Sequence, residues 1–94
     1  MFVDLKLIYF ASKSCSVCIS LLPKLEQMIT QNYPQITLTI LEIEENLKEC
    51  SEYGVYSAPS LILFVDNKEN HRWVRNFGLF EVEQKLIRII SLIS

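Results

Sequence analysis

Two of the three cysteines, Cys15 and Cys18, are three residues apart and carry the clearest chemical potential in the chain. Residues i and i+3 at a helix start are neighbours in space, with Cα atoms about 5–6 Å apart, a distance that a disulfide accepts. Because the ring would be small, the bond could form and break without refolding the chain. An odd number of cysteines also excludes a fully paired disulfide scaffold within one chain. The spacing therefore predicts thiol–disulfide chemistry.

The expected position of the pair, at a strand-to-helix junction, gives the two thiols different roles. Cys15 would lie at or just before the first helical residue, where unpaired backbone N–H groups and the helix dipole favour a thiolate. Lys13 adds positive potential nearby, so Cys15 should ionise more readily than a free cysteine. Cys18, one turn further along, should be more buried. Cys15 would then attack a substrate disulfide, and Cys18 would resolve the mixed disulfide.

A zinc half-site is the main alternative interpretation of the pair, because two cysteines at this spacing also supply two zinc ligands. A closed structural site needs two further ligands, and only Cys50 and His71 are available, without paired spacing. The sequence therefore favours redox chemistry with no metal and no cofactor. We expect Cys50 to be a small buried thiol, with a regulatory or dimer-forming thiol as its alternative, and His71 to be a surface residue.

The elements that would position the cysteines follow the order βαβαββα. Apolar, β-favouring patterns predict strands over 4–11, 36–43, 61–65 and 71–77, with a polar turn over 66–70. Helical periodicity predicts a helix from Cys15 to the Asn32-Tyr33-Pro34 segment, a short acidic helix over 44–53 stopped by Gly54, and a helix over 80–93. Pro23 should kink the first helix, whose apolar face begins at Val17.

These elements predict an α/β fold built on a four-stranded mixed sheet flanked by helices. The first two strands are joined through a helix, so they should be parallel with a right-handed crossover. The last two are joined by a turn, so they should form an antiparallel hairpin. The strand over 61–65 is continuously apolar, as is typical of a central strand covered on both faces.

Composition and charge bound the class of protein. The chain has 94 residues, of which 50% are hydrophobic, which predicts a single domain over 1–94. A net charge of −2 argues against a nucleic-acid binder. The sequence has no apolar run of about 18 residues and no signal-peptide pattern at its start, and two glycines are too few for a phosphate-binding loop. We therefore expect a cytoplasmic monomer without nucleic-acid or membrane partners.

Several of these segments together resemble the thioredoxin family, in a short form the size of a glutaredoxin. The resemblance rests on L-I-Y-F-A-S-K-S-C-S-V-C, on Pro23 five residues after the second cysteine, on Y-G-V-Y-S-A-P-S-L-I-L-F, on Gly78, and on the closing amphipathic helix. It covers nearly the whole chain. It implies a minimal thioredoxin-like fold and a protein disulfide oxidoreductase that cycles between dithiol and disulfide at Cys15 and Cys18.

The resemblance also implies a substrate-binding segment and partners. Its Ala58-Pro59 bond is expected to be cis and to face the cysteines, so that the Ala58 backbone can pair with an extended substrate segment. The supporting positions around the site would be Lys13, Ser14, Ser16, Val17 and Gly78. The expected partners are protein disulfide substrates, and a thioredoxin reductase or another thiol reductant.

The sequence departs from the family pattern at the site. Ser14 replaces the usual tryptophan, Ser16-Val17 replaces the usual Gly-Pro, and Tyr9 and Ile40 stand where a buried acid and its lysine partner are usual. A buried carboxylate can accept the proton of the resolving thiol, so we expect slower resolution or a changed substrate range. Two alternatives stay open: a redox-inactive interaction module, and a glutaredoxin-like, glutathione-linked reductase, although the sequence has no clear grip for glutathione carboxylates.

Overall fold

The computed structural model describes residues 3–93, and its regular elements follow the predicted order. The strands are β1 (Leu5–Ala11), β2 (Thr37–Glu42), β3 (Ser60–Val65) and β4 (Lys68–Val74). The α-helices are α1 (Ser16–Asn32), α2 (Leu47–Glu52) and α3 (Leu79–Ile93), and a short 3₁₀ helix (Ile43–Glu45) precedes α2.

The four strands form one mixed sheet in the order β2-β1-β3-β4. β1 pairs in parallel with β2 and antiparallel with β3, and β3 pairs antiparallel with β4. The predicted four-stranded mixed sheet is therefore confirmed. β1 and β3 occupy the centre, which explains their apolar sequences, because a central strand with helices on both faces meets little water.

Each face of the sheet carries its own apolar core. Leu7, Tyr9, Leu61 and Leu63 face one side, where they pack with residues of α1 and α3 that include Cys18. Ile8, Phe10, Ile62 and Phe64 face the other side, where they pack with Cys50 of α2 and with Val55. Because successive strand residues point to opposite faces, the sheet separates Cys18 from Cys50.

Helix α1 packs through Leu25, Met28 and Ile29, which are buried. The prediction that Val17 belongs to this apolar face was wrong, since the side chain of Val17 is 55% exposed. Pro23 lies inside the helix, where it lacks the N–H that would bond to the carbonyl four residues earlier. The helix ends at Asn32, as predicted from the segment that follows.

Element boundaries differ from the prediction mainly around β4 and α2. The turn before β4 consists of Asp66 and Asn67, with φ of 50° and 66°, which is the twist that suits a two-residue hairpin. β4 therefore begins at Lys68 rather than at residue 71, and it ends at Val74, before Arg75 with φ of 63°. The predicted helix over 44–53 is divided into the 3₁₀ helix and α2, and Gly54 ends it with φ of 72°.

Candidate active site

Cys15 and Cys18 are joined by a disulfide at the junction of β1 and α1. Their Cα atoms are 5.3 Å apart, within the range expected from the spacing. Cys15 is half-buried, whereas Cys18 is 1% exposed and belongs to the core under α1. The two sulfurs thus differ in access to a substrate, and the more accessible one comes first in the chain.

The start of α1 places a backbone amide against the Cys15 sulfur. Cys15 is the N-cap of α1, with φ of −98° and ψ of 103°. The Cys18 N–H donates to the Cys15 sulfur at 3.1 Å, and the Cys15 N–H donates to the Ser12 carbonyl at 3.1 Å. The first turn of α1 contains no acidic residue. Helix N-terminal amides stabilise negative charge, so this position favours a thiolate when the bond is reduced.

Lys13 directs its ammonium group to carboxylates on the other side of the loop. Its Nζ is 2.9 Å from Glu45 Oε1 and 3.3 Å from Glu42 Oε1. The hydrogen bond to Glu45, followed by the interactions with Glu42, raises the pKa of Lys13 above its usual value. The two carboxylates therefore offset part of the positive potential that was expected from Lys13 beside Cys15.

Glu44 fastens the loop between β1 and α1 to the segment after β2. Its carboxylate accepts hydrogen bonds from the Ser12 hydroxyl at 2.6 Å and from the Lys13 N–H at 3.2 Å. The bond from Ser12 is the main reason why the pKa of Glu44 lies below its usual value. This contact orients the loop that leads into Cys15.

Tyr9 occupies the position beneath Cys18 where the family resemblance implies an acid. Its hydroxyl donates to the Cys18 carbonyl oxygen at 3.1 Å, and burial raises its pKa. Tyr9 is therefore a neutral hydrogen-bond donor that ties β1 to α1. Its β2 partner in the sheet register is Ile40, which is 41% exposed.

The Ala58-Pro59 bond is cis, as the resemblance implies. Pro59 is buried, and Ala58 packs against the same core as Cys15. The Pro59 carbonyl accepts a hydrogen bond from the Arg75 N–H at 2.7 Å, which links this segment to the end of β4.

The remaining predicted site residues are distributed around the cysteines without forming a single cluster. Ser14 and Ser16 are exposed and flank Cys15 in the chain, beside the exposed Val17. Gly78 is half-buried at the start of α3, where its N–H donates to Glu81 Oε1 at 3.2 Å. A Cβ added to Gly78 would meet no described atom within 4 Å, so packing does not require glycine there.

Glu42 was not among the residues that the sequence predicted for the site. A cleft of about 310 Å³ beside Cys18 is lined by Glu42, and the Glu42 Oε1 atom is buried. Strand alternation could have indicated its position, because Glu42 lies two residues after Ile40 and so shares its face of β2.

Cys50 and His71 do not join the cysteine pair. Cys50 lies in the core on the opposite face of the sheet, and His71 packs against Trp73 with ring centroids 4.6 Å apart. Between residues 3 and 93, no group of three or more His, Cys, Asp or Glu residues is arranged to hold a metal ion. In the same range, no helix has the length and apolar character needed to span a membrane.

Comparisons with known proteins agree on one family. The family model described as Thioredoxin matches residues 3–88. The chain is 32% identical over 85 residues to the thioredoxin-like protein YdfQ of Bacillus subtilis (strain 168), covering 90% of this chain and 75% of that protein. It is 37% identical over 87 residues to a thioredoxin of Chlamydia trachomatis, covering 93% and 80%. Its fold matches thioredoxin 1 from Thermosipho africanus with a TM-score of 0.86, 28% identity, and coverage of 93% and 96%.

Proposed function

The chain belongs to the thioredoxin family and is a thiol–disulfide oxidoreductase, and we propose that Cys15 attacks substrate disulfides while Cys18 resolves the product. The observation that carries this assignment is the difference in access between the two sulfurs. Cys15 is half-buried at the start of α1 and receives the Cys18 N–H, whereas Cys18 is 1% exposed. A substrate sulfur therefore reaches Cys15 first.

The proposed cycle moves two electrons from the cysteine pair to the substrate. The Cys15 thiolate attacks one sulfur of the substrate disulfide, forms a mixed disulfide and releases the first substrate thiolate. The Cys18 sulfur then attacks the Cys15 sulfur and releases the second substrate thiolate. The protein is left with the Cys15–Cys18 disulfide, the state present in this structure.

Trapping separates the two proposed roles. Reduced Cys18→Ser should accumulate a mixed disulfide with a protein substrate, because the attacking thiol remains and the resolving thiol is absent. Cys15→Ser should accumulate none. Mass spectrometry of the adducts measures both outcomes, and a Cys15→Ser adduct at Cys18 in equal yield would reverse the assignment.

For the substrate, we propose an extended segment that pairs with the backbone of Ala58. Support comes from the packing of Ala58 and Cys15 against the same core. Backbone pairing recognises many sequences, while nearby side chains supply selectivity. Exposed Ser14, Ser16 and Val17 would contact the substrate, and Gly78 would border it. Val17→Lys should then change the ranking of peptide disulfide substrates in steady-state assays, whereas Leu92→Lys, at an exposed position near the end of α3, should not.

Thioredoxins act on protein disulfides and are usually reduced by a thioredoxin reductase. We propose the same electron source for this chain, in a reducing compartment such as the cytoplasm, where working cysteine pairs are kept reduced. A coupled assay with a purified thioredoxin reductase, run beside one with glutathione and glutathione reductase, distinguishes this source from a glutaredoxin-like one. Turnover with glutathione alone would contradict it.

For the whole chain, we propose one monomeric domain over residues 1–94. Support comes from the single sheet, which is shared by both apolar cores. One cooperative unfolding transition and a monomer mass in solution are expected, and calorimetry with light scattering measures both.

A redox titration in glutathione buffers tests the function against the alternative of a redox-inactive interaction module. The wild-type protein should interconvert between dithiol and disulfide over the accessible range of potentials, and Cys15→Ser should show no such transition. A pair that stays oxidised at every accessible potential would support the interaction module instead.

A further inference from the structure

The cleft beside Cys18 contains a carboxylate oxygen without a hydrogen-bond partner. Glu42 Oε1 is buried, and among the described residues nothing donates a hydrogen bond to it. Lys13 Nζ is 3.3 Å away, close enough for an ion pair but outside hydrogen-bond geometry. The Glu42 side chain as a whole is 31% exposed, so it is this one oxygen that is enclosed. Native proteins seldom keep a buried polar atom without a hydrogen-bond partner unless it has a structural or chemical reason.

Sheet register places this carboxylate on the same face as the resolving cysteine. Glu42 pairs with Ala11 across β2 and β1, and Ile40 pairs with Tyr9 two residues earlier. Tyr9 faces the core that contains Cys18, so Glu42 lies on that face of the sheet as well. The cleft that they share has a volume of about 310 Å³. Because a water occupies about 30 Å³ of liquid, the cleft has room for several waters.

We propose that Glu42 accepts, through water in this cleft, the proton that Cys18 loses when it resolves the mixed disulfide. The proposal rests on the roles assigned above to Cys15 and Cys18. In this step the Cys18 S–H bond breaks and its proton passes through water to the Glu42 carboxylate. The Cys18 sulfur forms its bond to Cys15, and the bond between Cys15 and the substrate sulfur breaks. The substrate leaves as a thiolate, and Glu42 later returns its proton to solvent.

The other polar groups around Cys18 and the cleft are not suited to accept this proton. Tyr9 is neutral and already donates its proton to the Cys18 carbonyl. Lys13, from the loop after β1, is a cation and cannot accept a proton while charged. Glu45 binds Lys13 and Glu44 binds Ser12, and neither carboxylate lines the cleft with Cys18. Glu42 is therefore the proton acceptor among these groups, with Lys13 limiting the cost of its negative charge.

A two-phase reaction with an aromatic chromogenic disulfide isolates the proposed step. Reduced protein releases one coloured thiolate when Cys15 attacks and a second when Cys18 resolves the mixed disulfide. The second phase does not depend on reagent concentration, because it is intramolecular. Stopped-flow absorbance measures both phases over a range of pH for the wild type, Glu42→Gln, Glu42→Asp and Glu45→Gln.

Glu42→Gln should slow the second phase by about a hundredfold near neutral pH, the lower range for general-base catalysis. The deficit should shrink as pH rises past ~8.5, where a thiol ionises without help. Its first phase should stay within about twofold of wild type, which shows that the site is folded, because such proton transfer belongs only to resolution. Glu42→Asp should keep the wild-type pH profile with a smaller loss, and Glu45→Gln should match the wild type in both phases.

Three results would overturn the proposal. Glu42→Gln could resolve at the wild-type rate at every pH. Its deficit could instead be the same at every pH, which would indicate a structural role. Glu45→Gln could also reproduce the whole effect, which would show that the effect arises through Lys13, the residue that Glu45 binds. A wild-type protein without any concentration-independent second phase would refute the resolving role of Cys18 itself, which distinguishes that failure from the failure of Glu42.

Discussion

The two faces of the sheet each bury one cysteine to the same extent, yet only one of these cysteines belongs to a redox pair. Cys18 and Cys50 are both 1% exposed. Cys18 lies one turn into α1, with Cys15 at the N-cap and a cleft beside it. Cys50 lies in α2 among apolar side chains without a partner sulfur.

Local electrostatics also distinguish Cys50 from the redox pair. The pKa of Cys50 is raised, first by burial and then by Glu49 and Glu44, so its reactive thiolate is suppressed. Around Cys15, helix N-terminal amides act in the opposite direction. Burial alone therefore does not decide what a cysteine does. The position in the helix and the nearest charges do.

The largest expected effect distinguishes the redox pair, through Cys15, from Cys50. Cys15→Ser should lower protein disulfide reductase activity by at least about a thousandfold, as removal of an essential nucleophile does. Cys50→Ala should leave the activity unchanged, because no step passes through the other face of the sheet. An insulin reduction assay measures both variants, and a comparable loss for Cys50→Ala would contradict the comparison.

A core substitution on the Cys50 face should affect stability without affecting the chemistry. Phe10 is fully buried there, with Tyr53 packed edge-on against it at 5.6 Å between ring centroids. Phe10→Ala should cost about 3–5 kcal/mol of unfolding free energy, through lost burial and a residual cavity. Urea unfolding measures the loss.

For the same Phe10→Ala variant, the rate of Cys15 alkylation in the folded fraction serves as the control. It should remain close to wild type, since the substitution lies across the sheet. A changed alkylation rate would show that the two faces are coupled.

A smaller effect is expected from the hydrogen bond that joins β1 to Cys18. Tyr9→Phe removes the hydroxyl that donates to the Cys18 carbonyl and should cost about 1 kcal/mol, the usual net value of a buried hydrogen bond. Urea unfolding of the oxidised protein measures it. Tyr33→Phe, which removes a hydroxyl that donates to Glu83 outside this site, is the control for the chemistry. Neither variant should change the rate of the first thiolate-release phase, and only Tyr9→Phe should change the rate of the second.

The smallest effect concerns pH and the loop that leads into Cys15. The folded-state pKa of Glu44 is lowered, mainly by the Ser12 hydroxyl, so the folded state favours its charged form. The resulting stability is present above the unfolded-state pKa and is lost as pH falls through the folded-state pKa. Glu44→Gln should therefore be slightly less stable than wild type at neutral pH, and the gap should close in acid.

Urea midpoints at pH 7 and at about pH 2–3, below the ordinary range for glutamate, test this sign. Glu52→Gln, an exposed change on α2, is the matched control. A gap for Glu44→Gln that widens in acid would contradict the expectation.

Much of the fold follows from local patterns. The alternating and continuous apolar segments placed every strand, and the Asn32-Tyr33-Pro34 segment placed the end of α1. Boundaries were less accurate where backbone geometry decides, as at Asp66 and Asn67, whose left-handed conformations shorten the turn before β4. Val17 was misplaced because helical periodicity does not show where the sheet beneath a helix ends.

The candidate site divides in the same way. The cysteine spacing was sufficient to predict the pair, since neighbours at i and i+3 meet whenever a helix begins there. Glu42 escaped prediction because the enclosure of its Oε1 atom depends on β2 lying beside β1 and on the contact with Lys13. Both are contacts between segments about 30 residues apart.

The order of the elements, the mixed sheet and the cysteine pair follow from local sequence, because apolar periodicity and short-range spacing act within a few residues. Contacts between distant segments set the rest: Tyr9 binds the Cys18 carbonyl, Lys13 turns to Glu42 and Glu45, and Cys50 lies across the sheet from Cys18. The reason is physical: strand pairing brings distant segments together, and burial then sets the charge and hydrogen bonding of each group that it encloses.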